Sequence, residues 1–431
     1  MTDRPSRAVF PPMGWNSWDV YGASVTEDEV ILNAEYLATH LRRHGWEYVV
    51  VDIQWYEPSA TSSSYHPFVS LTMDDFSRLT PAVNRFPSAA HGAGFAPLAA
   101  KIHALGLKFG IHVMRGIPRQ AVHQNAAILG TEVRAREVAA TDSTCPWNTD
   151  MYGVDPNAPG AQEYYDSLFD LYASWNVDFV KVDDALFPYA AGEIELIHDS
   201  IDRCGRNIVL SLSCGPMDMA DAPHVRAHAE MWRMSGDFWD TWEDLFGMFE
   251  FCDTWTRHGS EGRWPDADML PVGEIALRSK EHGVGRRWTR LSHDEQLTMM
   301  TLWCIFRSPL MVGSYLPSLD EWTLALLTND DVLQVLRSSY GARQLFRRGN
   351  LIVWVAAGDD AIRYLAVFNT GFTDRRCTVQ LGAAGLPQNA VVHDLWSHAS
   401  LGQVTRSLSV DIASHGARLL RMVRSPESAT L

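Results

Sequence analysis

Short apolar runs alternate with longer amphipathic stretches from about residue 10 to residue 330. Apolar runs bounded by polar residues are typical of strands that are buried on both faces of a parallel sheet. The clearest predicted strands are 49–53, 107–113, 178–183 and 208–213. Helical periodicity between them predicts helices such as 27–44 and 161–175. This alternation predicts an α/β fold, a (β/α)8 TIM barrel, and no glycine-rich dinucleotide fingerprint favours an open sheet instead.

The pattern changes near residue 335. From there, short strand-like runs are separated by Gly, Asp and Asn, as in a small antiparallel β-sandwich. The runs are 351–355, 362–368, 391–396 and 417–422. We therefore expect a catalytic barrel over 1–335 and a C-terminal β-sandwich domain over 336–431, with the linker between Val332 and Gln344. The sandwich is expected to be structural rather than sugar-binding.

Composition and charge narrow the class of partner. The chain has 431 residues, of which 46% are hydrophobic, so it can bury a large core. A net charge of −16 argues against nucleic acid or an anionic membrane surface as a partner. An uncharged small oligosaccharide or glycoside fits this charge as a substrate. The sequence does not determine the oligomeric state and is compatible with a homo-oligomer.

The six cysteines are scattered and form no Cys-x-x-Cys pair, so they indicate neither a disulfide framework nor a zinc site. No apolar leader precedes Pro11, and no run is long enough to span a membrane. These features predict a cytoplasmic protein. We expect no metal and no cofactor.

Two aspartates carry the chemical prediction. Asp183 ends the apolar run 179–182 and has Lys181 on the same strand face, while Asp237 follows a second apolar segment that contains Arg233. Carboxylates from two strand ends of a barrel can face each other across a pocket, and glycoside hydrolysis uses such a pair. On spacing alone, both aspartates could equally be strand-end caps or salt-bridge partners.

Tryptophan is abundant, with 16 residues in the chain. Most excess tryptophan packs in cores and interfaces. Trp18 and Trp55 nevertheless lie beside predicted strand ends, where a rigid aromatic face would suit the apolar face of a sugar. We expect both to contact substrate.

Several motifs in consistent order resemble glycoside hydrolase family 27, the melibiase (α-galactosidase) family, over nearly the whole chain. The matching segments are Met13-Gly14-Trp15-Asn16-Ser17-Trp18, Asp52-Ile53-Gln54-Trp55, Leu107-Lys108-Phe109-Gly110-Ile111, Lys181-Val182-Asp183-Asp184, Trp232-Arg233 through Asp237, Trp264-Pro265-Asp266-Ala267-Asp268-Met269-Leu270, Arg307-Ser308-Pro309-Leu310 and Leu326-Leu327-Thr328-Asn329.

The resemblance implies a retaining exo-glycoside hydrolase that cleaves terminal α-D-galactosides. Asp183 would be the nucleophile that forms a covalent glycosyl-aspartate, and Asp237 would be the acid/base. Lys181 would keep Asp183 ionised, and Arg233 would hold a sugar hydroxyl.

The segment after the second strand departs from the family. The family has two adjacent aspartates there that hold the O4/O6 edge of galactose, whereas this chain has Asp52 followed by Ile53. A buried sugar hydroxyl without its partner costs ~1–3 kcal/mol. β-L-Arabinopyranose has the ring stereochemistry of α-D-galactose without the C6 hydroxymethyl group, so it would suit Ile53. The alternative is that Gln54, Tyr56 or Glu57 replaces the lost hydrogen bond.

Two further departures concern the sugar contacts. The family's Cys-Glu-Trp, whose Glu binds O2, aligns with Ser213-Cys214-Gly215. A smaller residue there leaves room for a 2-acetamido group or reflects another O2 partner. His112 and Arg115 replace the usual residues after strand three and are expected to rebuild polar contacts.

Two other function classes are less compatible with the sequence. A metal-dependent barrel enzyme would use His112, Asp183, Asp237 and Asp266, but no His-x-His pair supports it and Lys181 would repel a cation. A non-catalytic carbohydrate-binding barrel would require the loss of one of the two aspartates, and both are present.

Overall fold

The computed structural model describes residues 7–279, 285–359 and 361–425. The chain divides into two compact units, each assembled from three stretches of sequence. The first unit comprises Met1–Asp237, Ser260–Trp288 and Leu310–Leu319, and the second comprises Phe238–Gly259, Thr289–Pro309 and Asp320–Leu431.

An eight-stranded parallel sheet forms the centre of the first unit. The strands of this unit are β1 (Met13–Asn16), β2 (Tyr48–Val51), β3 (Lys108–Met114), β4 (Ile117–Pro118), β5 (Ala139–Thr144), β6 (Met151–Val154), β7 (Phe179–Asp183), β8 (Val209–Leu212), β9 (Met231–Arg233), β10 (Trp264–Asp266), β11 (Glu274–Ile275), β12 (Arg287–Trp288) and β13 (Leu310–Val312). The large sheet has the order β10-β9-β8-β7-β3-β2-β1-β13. Leu270, four residues beyond β10, forms a parallel bridge with Val312 of β13. The sheet therefore curls into the barrel that the sequence predicted.

The predicted barrel strands agree with the observed ones to within one or two residues at each end. Gly14 shows how closely β1 and β2 approach. A Cβ atom at Gly14 would lie 2.4 Å from the Tyr48 carbonyl oxygen, so only glycine fits there.

Helices separate the barrel strands along the chain. In the first unit they are α1 (Trp18–Tyr21), α2 (Glu27–Tyr36), α3 (Ala96–Ala104), α4 (Arg119–Gln124), α5 (Ala135–Val138), α6 (Ala161–Ser174), α7 (Ala191–Arg203) and α8 (Ala222–His228). The predicted helix 27–44 is α2 continued by a π-helical turn and a 3-10 turn to His44, and the predicted helix 161–175 is α6. A small sheet in the order β4-β6-β5 is inserted between β3 and α6.

The second unit contains α9 (Trp242–Trp255), α10 (His293–Phe306), α11 (Glu321–Leu327) and α12 (Asp330–Ser338). Its strands are β14 (Tyr340–Arg348), β15 (Leu351–Ala357), β16 (Ile362–Asn369), β17 (Arg375–Gln380), β18 (Asn389–Asp394), β19 (Ser400–Thr405), β20 (Ser407–Ile412) and β21 (Ala417–Arg424). They form a six-stranded sheet, β14-β15-β16-β21-β18-β19, and a β17-β20 pair, and every pairing is antiparallel.

The two sheets of the second unit share one core. Val353, Leu365 and Leu420 from the larger sheet pack with Val379 and Val410 from the smaller one. This is the predicted C-terminal β-sandwich. The stretch 332–344, which the sequence suggested as a linker, lies in α12 and β14.

In the part of the chain that the structure describes, none of the helices has the length and apolar character that crossing a bilayer requires.

Candidate active site

Polar side chains collect at the carboxyl ends of the parallel strands. His112 in β3 lies opposite Lys181 in β7, and Arg233 in β9 lies opposite Asp266 in β10. Asp52 directly follows β2. Because side chains alternate along a strand, Lys181 and Asp183 share one face of β7. In a TIM barrel this end carries the chemistry.

Asp183 is held by hydrogen bonds to both carboxylate oxygens. His112 Nε2 donates to Asp183 Oδ2 over 3.1 Å, and the Asp184 backbone N–H donates to Asp183 Oδ1 over 2.7 Å. Burial by itself would raise the pKa of Asp183. The hydrogen bond and charge of His112, together with the Lys181 ammonium, outweigh burial and hold that pKa well below its usual range. Asp183 is therefore kept as a carboxylate, the form a nucleophile requires.

Lys181 forms its direct ion pair with Asp52 rather than with Asp183. Lys181 Nζ lies 3.0 Å from Asp52 Oδ2, which also accepts a 2.7 Å hydrogen bond from Asn16 Nδ2. Burial would raise the pKa of Asp52, but Lys181, His112 and Asn16 lower it overall. Lys181 thus acts on Asp183 through its field and on Asp52 by contact.

Arg233 contacts several protein groups through one guanidinium nitrogen, Nη2. Its Nη2 lies 2.8 Å from Asp268 Oδ2 and 3.3 Å from Asp237 Oδ1, and it also donates to the Gly236 carbonyl oxygen. The guanidinium positions these carboxylates, and its expected contact with a sugar hydroxyl stays a prediction.

Asp237 and Asp183 differ sharply in environment. The side chain of Asp237 is 59% exposed, whereas that of Asp183 is 12% exposed. Cys214 is half-buried and lies within electrostatic reach of both aspartates. Burial is the main cause that raises the pKa of its thiol to about 12, and the charges of Asp183 and Asp237 raise it further. Cys214 therefore lies near both aspartates.

Ile53 is buried beside Asp52, and its N–H donates to Asp52 Oδ1 over 2.8 Å. Two of the residues that could replace a missing carboxylate are engaged elsewhere. Gln54 Nε2 donates to Asp150 Oδ2 over 2.6 Å, and the Tyr56 hydroxyl donates to the same oxygen over 3.1 Å.

Glu57, the third residue that could compensate, is hydrogen-bonded through one of its two carboxylate oxygens. Its Oε1 accepts from both the backbone N–H and the hydroxyl of Ser59 at 2.6 Å, and its Oε2 lies 3.3 Å from His66 Nδ1. All three neighbours of Ile53 thus make hydrogen bonds within the protein, and their replacement of the missing carboxylate stays a prediction.

The segment after β8 passes very close to the segment after β9. A Cβ atom at Gly215 would lie 3.0 Å from the Ser235 carbonyl oxygen and 3.1 Å from that of Arg233. The family's Trp at this position has no room here. Ser213 is buried and bonds through its backbone to Val182 and Ala185.

Arg115 lies in a buried ionic cluster. Its Nη2 contacts Asp184 Oδ2 and its Nη1 contacts Glu193 Oε1, each at 2.7 Å, and Nη1 also donates to Ser143 Oγ at 3.0 Å. Every guanidinium nitrogen has a protein partner, since Nε donates to the Asp184 carbonyl. Arg115 fixes Asp184, the residue after Asp183, so we regard it as a positioning residue.

The two tryptophans expected to contact substrate occupy different environments. Trp18 is half-buried and stacks on Tyr65, with ring centroids 6.0 Å apart, and Tyr65 in turn contacts Trp147. Trp55 is completely buried; its indole N–H donates to the His112 carbonyl, and its ring packs on Phe95 in the core. Trp18 therefore stays a substrate-contact candidate, whereas Trp55 supports the backbone of His112.

Three acidic residues that the sequence did not select for the glycosidase site belong to this region. Asp268 pairs with Arg233, and burial raises the pKa of Asp266 to about 7. Asp19 is buried, and burial together with the charge of Asp268 raises its pKa. Asp266 and Asp268 lay in a quoted motif and could have been found from it. Asp19 had no sequence signal.

Comparison with known proteins agrees with this fold. The profile of the domain described as alpha galactosidase A matches residues 153–338, and that of the alpha galactosidase C-terminal beta sandwich domain matches residues 348–422. Alpha-galactosidase 2 of Arabidopsis thaliana is 25% identical over 426 residues, which are 97% of this chain and 90% of that protein.

Solved structures show greater similarity. A family 27 β-L-arabinopyranosidase from Geobacillus stearothermophilus is 56% identical, with a TM-score of 0.96 over 99% of this chain and 98% of that one. A protein named as a putative alpha-N-acetylgalactosaminidase from Bacillus halodurans is 49% identical, with a TM-score of 0.88 over 96% and 97% of the two chains. The chain belongs to glycoside hydrolase family 27 and is a glycosidase of the α-galactosidase type.

Proposed function

We propose that this enzyme is a retaining exo-glycosidase for terminal pyranosides of galactose configuration. Both α-D-galactosides and β-L-arabinopyranosides would be cleaved at the same site, with the arabinopyranosides preferred. The site residues are Asp183 and Asp237 for the chemistry, and Trp18, Asp52, Ile53 and Cys214 for contacts to the sugar.

In the first step, an Asp183 oxygen attacks the anomeric carbon while the bond to the leaving-group oxygen breaks. Asp237 gives its proton to that oxygen, so the aglycone leaves as a neutral alcohol. In the second step, Asp237 takes a proton from water, which attacks the same carbon and releases Asp183 as a carboxylate. Two inversions give net retention of configuration.

The environments of the two aspartates support these roles. Asp183 is held ionised by His112 and by the field of Lys181. Asp237 is on the exposed side of the site and can exchange protons with water. His112 and Arg115 act through Asp183 and Asp184, and Ser213 acts through its backbone.

Ile53 carries the proposal on specificity. It stands where the family has a sugar-binding carboxylate, and Gln54, Tyr56 and Glu57 are committed to other partners. A galactoside would bury its C6 hydroxyl without that acceptor, at a cost of ~1–3 kcal/mol, or roughly tenfold to 100-fold in kcat/KM. An arabinopyranoside has no such hydroxyl. The 56% identity to a β-L-arabinopyranosidase also supports this preference.

Three matched aryl glycosides test the proposal: the α-D-galactoside, the β-L-arabinopyranoside and the 2-acetamido-2-deoxy-α-D-galactoside. We expect kcat/KM to be highest for the arabinopyranoside, and Ile53→Asp to shift the ratio toward the galactoside. Ile53→Leu is the matched control and should keep the original ratio. A wild-type preference for the galactoside, with no effect of Ile53→Asp, would refute Ile53 as the determinant.

A preference for the acetamido sugar would point instead to Cys214. That residue replaces the family's O2-binding acid, and the Bacillus halodurans relative is named for this activity.

The nucleophile is tested separately. Asp183→Ala should abolish turnover, and added azide should restore it as a glycosyl azide of inverted anomeric configuration. NMR of the first wild-type product should show the retained anomer. Turnover by Asp183→Ala without azide would overturn the nucleophile assignment.

We further propose that the enzyme acts in the cytoplasm on an imported glycoside. All six cysteines are free thiols, as a reducing compartment requires. Cell fractionation with activity measurement tests the location. We keep 1–335 and 336–431 as the proposed functional division of the chain.

A further inference from the structure

A cluster of metal-ligating side chains lies on α7 and α8, apart from the residues assigned to the reaction. Glu195 on α7 and both His224 and His228 on α8 each present one ligand atom, and these atoms all lie within 4.8 Å of one another. Glu195 is exposed, and both histidines are half-buried. We propose that these three residues bind a divalent cation of the Zn²⁺ class and join the two helices.

The spacing on α8 supports the proposal. His224 and His228 are four residues apart, so their rings project from the same face of the helix, and the ring centroids are 4.1 Å apart. Two histidines at this spacing are a recurrent zinc-binding arrangement, which a carboxylate from a neighbouring segment completes. Water would fill the fourth position.

The hydrogen bonds of His228 leave a nitrogen available for a metal. His228 Nδ1 lies 2.8 Å from the carbonyl oxygen of His224. A carbonyl can only accept, so Nδ1 carries the proton and Nε2 keeps its lone pair. A ligating histidine characteristically donates its other ring N–H to a backbone carbonyl in this way.

His224 has a partner suited to either tautomer. Its Nε2 lies 3.0 Å from Glu195 Oε1, and its Nδ1 lies 2.6 Å from the Tyr189 hydroxyl. Without metal, Tyr189 donates to Nδ1 and Nε2–H donates to the carboxylate. With metal on Nε2, the proton sits on Nδ1 and the Tyr189 hydroxyl rotates to accept it.

The geometry requires side-chain movements of about an ångström, because the ligand atoms lie within 4.8 Å of one another. Zinc–nitrogen and zinc–oxygen bonds of about 2.0–2.2 Å place tetrahedral ligand atoms roughly 3.5 Å apart. The Glu195 side chain is 57% exposed and can turn inward without disturbing the core. Imidazole ligands bind borderline cations such as Zn²⁺ in preference to the hard cations Mg²⁺ and Ca²⁺.

Tyr189 connects the proposed site to the loop after the nucleophile. It lies between β7, which ends in Asp183, and α7, and it forms a bridge with Leu186 in that loop. Tyr189 also lines a cavity of about 610 Å³ together with Arg115 and Glu193. Metal binding would therefore hold one end of this loop against α8.

Calorimetric titration with ZnCl2 tests the site, using the full-length, tag-free protein after chelator treatment. We expect one saturable site in the wild type, with affinity falling as pH drops below the usual histidine pKa, because protons compete for the ligand nitrogens. Glu195→Gln and His228→Ala should each weaken binding at least tenfold. Tyr189→Phe should weaken it about tenfold through loss of the second hydrogen bond.

The controls separate this site from other ligands. His123→Ala, an exposed histidine on α4, should bind zinc like the wild type. At one zinc concentration, zinc should also raise the melting temperature of the wild type more than that of Glu195→Gln. Glu195→Gln alters an exposed side chain, so it remains a valid test if His228→Ala folds poorly. Absence of zinc binding, or binding unchanged in both variants but lost in Cys214→Ser, would overturn the proposal.

Discussion

Replacement of His112 by phenylalanine isolates one contact of the proposed nucleophile. His112 Nε2 donates to Asp183 Oδ2 over 3.1 Å, and the imidazole is completely buried. Its other nitrogen, Nδ1, is buried and has no hydrogen-bond partner among the described residues. Phenylalanine keeps a flat ring of similar size, so the substitution removes the hydrogen bond together with the charge of His112.

The size of the effect follows from that bond. A hydrogen bond to a charged group contributes ~1.5–3 kcal/mol, and one pKa unit corresponds to about 1.4 kcal/mol. Loss of His112 should therefore raise the pKa of Asp183 by about 1–2 units. Lys181 and the Asp184 backbone N–H remain and limit the shift.

The direction of the pH dependence is fixed by the sign of the shift. Asp183 has a pKa below its usual range, so it stays ionised, and active, far into acid in the wild type. In His112→Phe the acid limb of kcat/KM should move to higher pH, toward about pH 4, the usual value for aspartate. The stabilising effect of the depressed pKa on folding is likewise present above the usual pKa of aspartate and is lost as pH falls through the folded value.

The assay is the pH profile of kcat/KM on an aryl glycoside with an activated leaving group, which makes proton donation unimportant. His112→Gln is the matched variant, because its amide nitrogen can replace Nε2 as donor and should give an intermediate shift. An acid limb at the same pH in wild type and His112→Phe would refute the view that this contact keeps Asp183 ionised.

Three further predictions test separate parts of the structure. Asp237→Ala should lose far more activity on poor leaving groups than on activated aryl glycosides, since only the former need proton donation; equal losses would contradict the acid assignment. Burial raises the pKa of Asp266 to about 7, so the folded state favours its protonated form and wild-type stability should fall as pH rises through that value. The urea midpoint of Asp266→Asn should not fall with pH in this way. Parallel plots of urea midpoint against pH for the wild type and Asp266→Asn would disprove the effect. Gly14→Ala places a Cβ 2.4 Å from the Tyr48 carbonyl oxygen and should lower the free energy of unfolding by ~1–3 kcal/mol. The control Gly247→Ala, whose Cβ meets nothing within 4 Å, should not lower it. Equal denaturation midpoints for the two variants would show that β1 can move.

The two candidate carboxylates could be selected from the sequence because each follows an apolar run. Parallel strands place their carboxyl ends at one edge, so Asp183 and Asp237 were expected to converge. The barrel and the C-terminal sandwich were predicted for the same reason, since buried strands and amphipathic helices differ in periodicity.

The partners of those residues could not be predicted. Lys181 was expected to serve Asp183, but its direct contact is with Asp52, which comes from another strand 129 residues away in the chain. Likewise, His112 was only an uncommon residue after strand three until the pairing of β3 with β7 placed it against Asp183. Periodicity gives the face of a strand, whereas the rotamers and the register between strands decide which atoms meet.

Trp55 and the residues around Ile53 show the same difference between what the sequence predicts and what only the folded chain decides. The sequence placed Trp55 beside a strand end, yet its ring enters the core because Phe95 and Trp175 pack against it. The sequence identified the missing carboxylate at Ile53, but only the tertiary structure showed that Gln54 and its neighbours are already hydrogen-bonded. The sequence by itself thus determined the fold and the residue types that carry the chemistry. Which hydrogen bonds remain open to a substrate depends on contacts between distant segments, and these exist only in the folded chain.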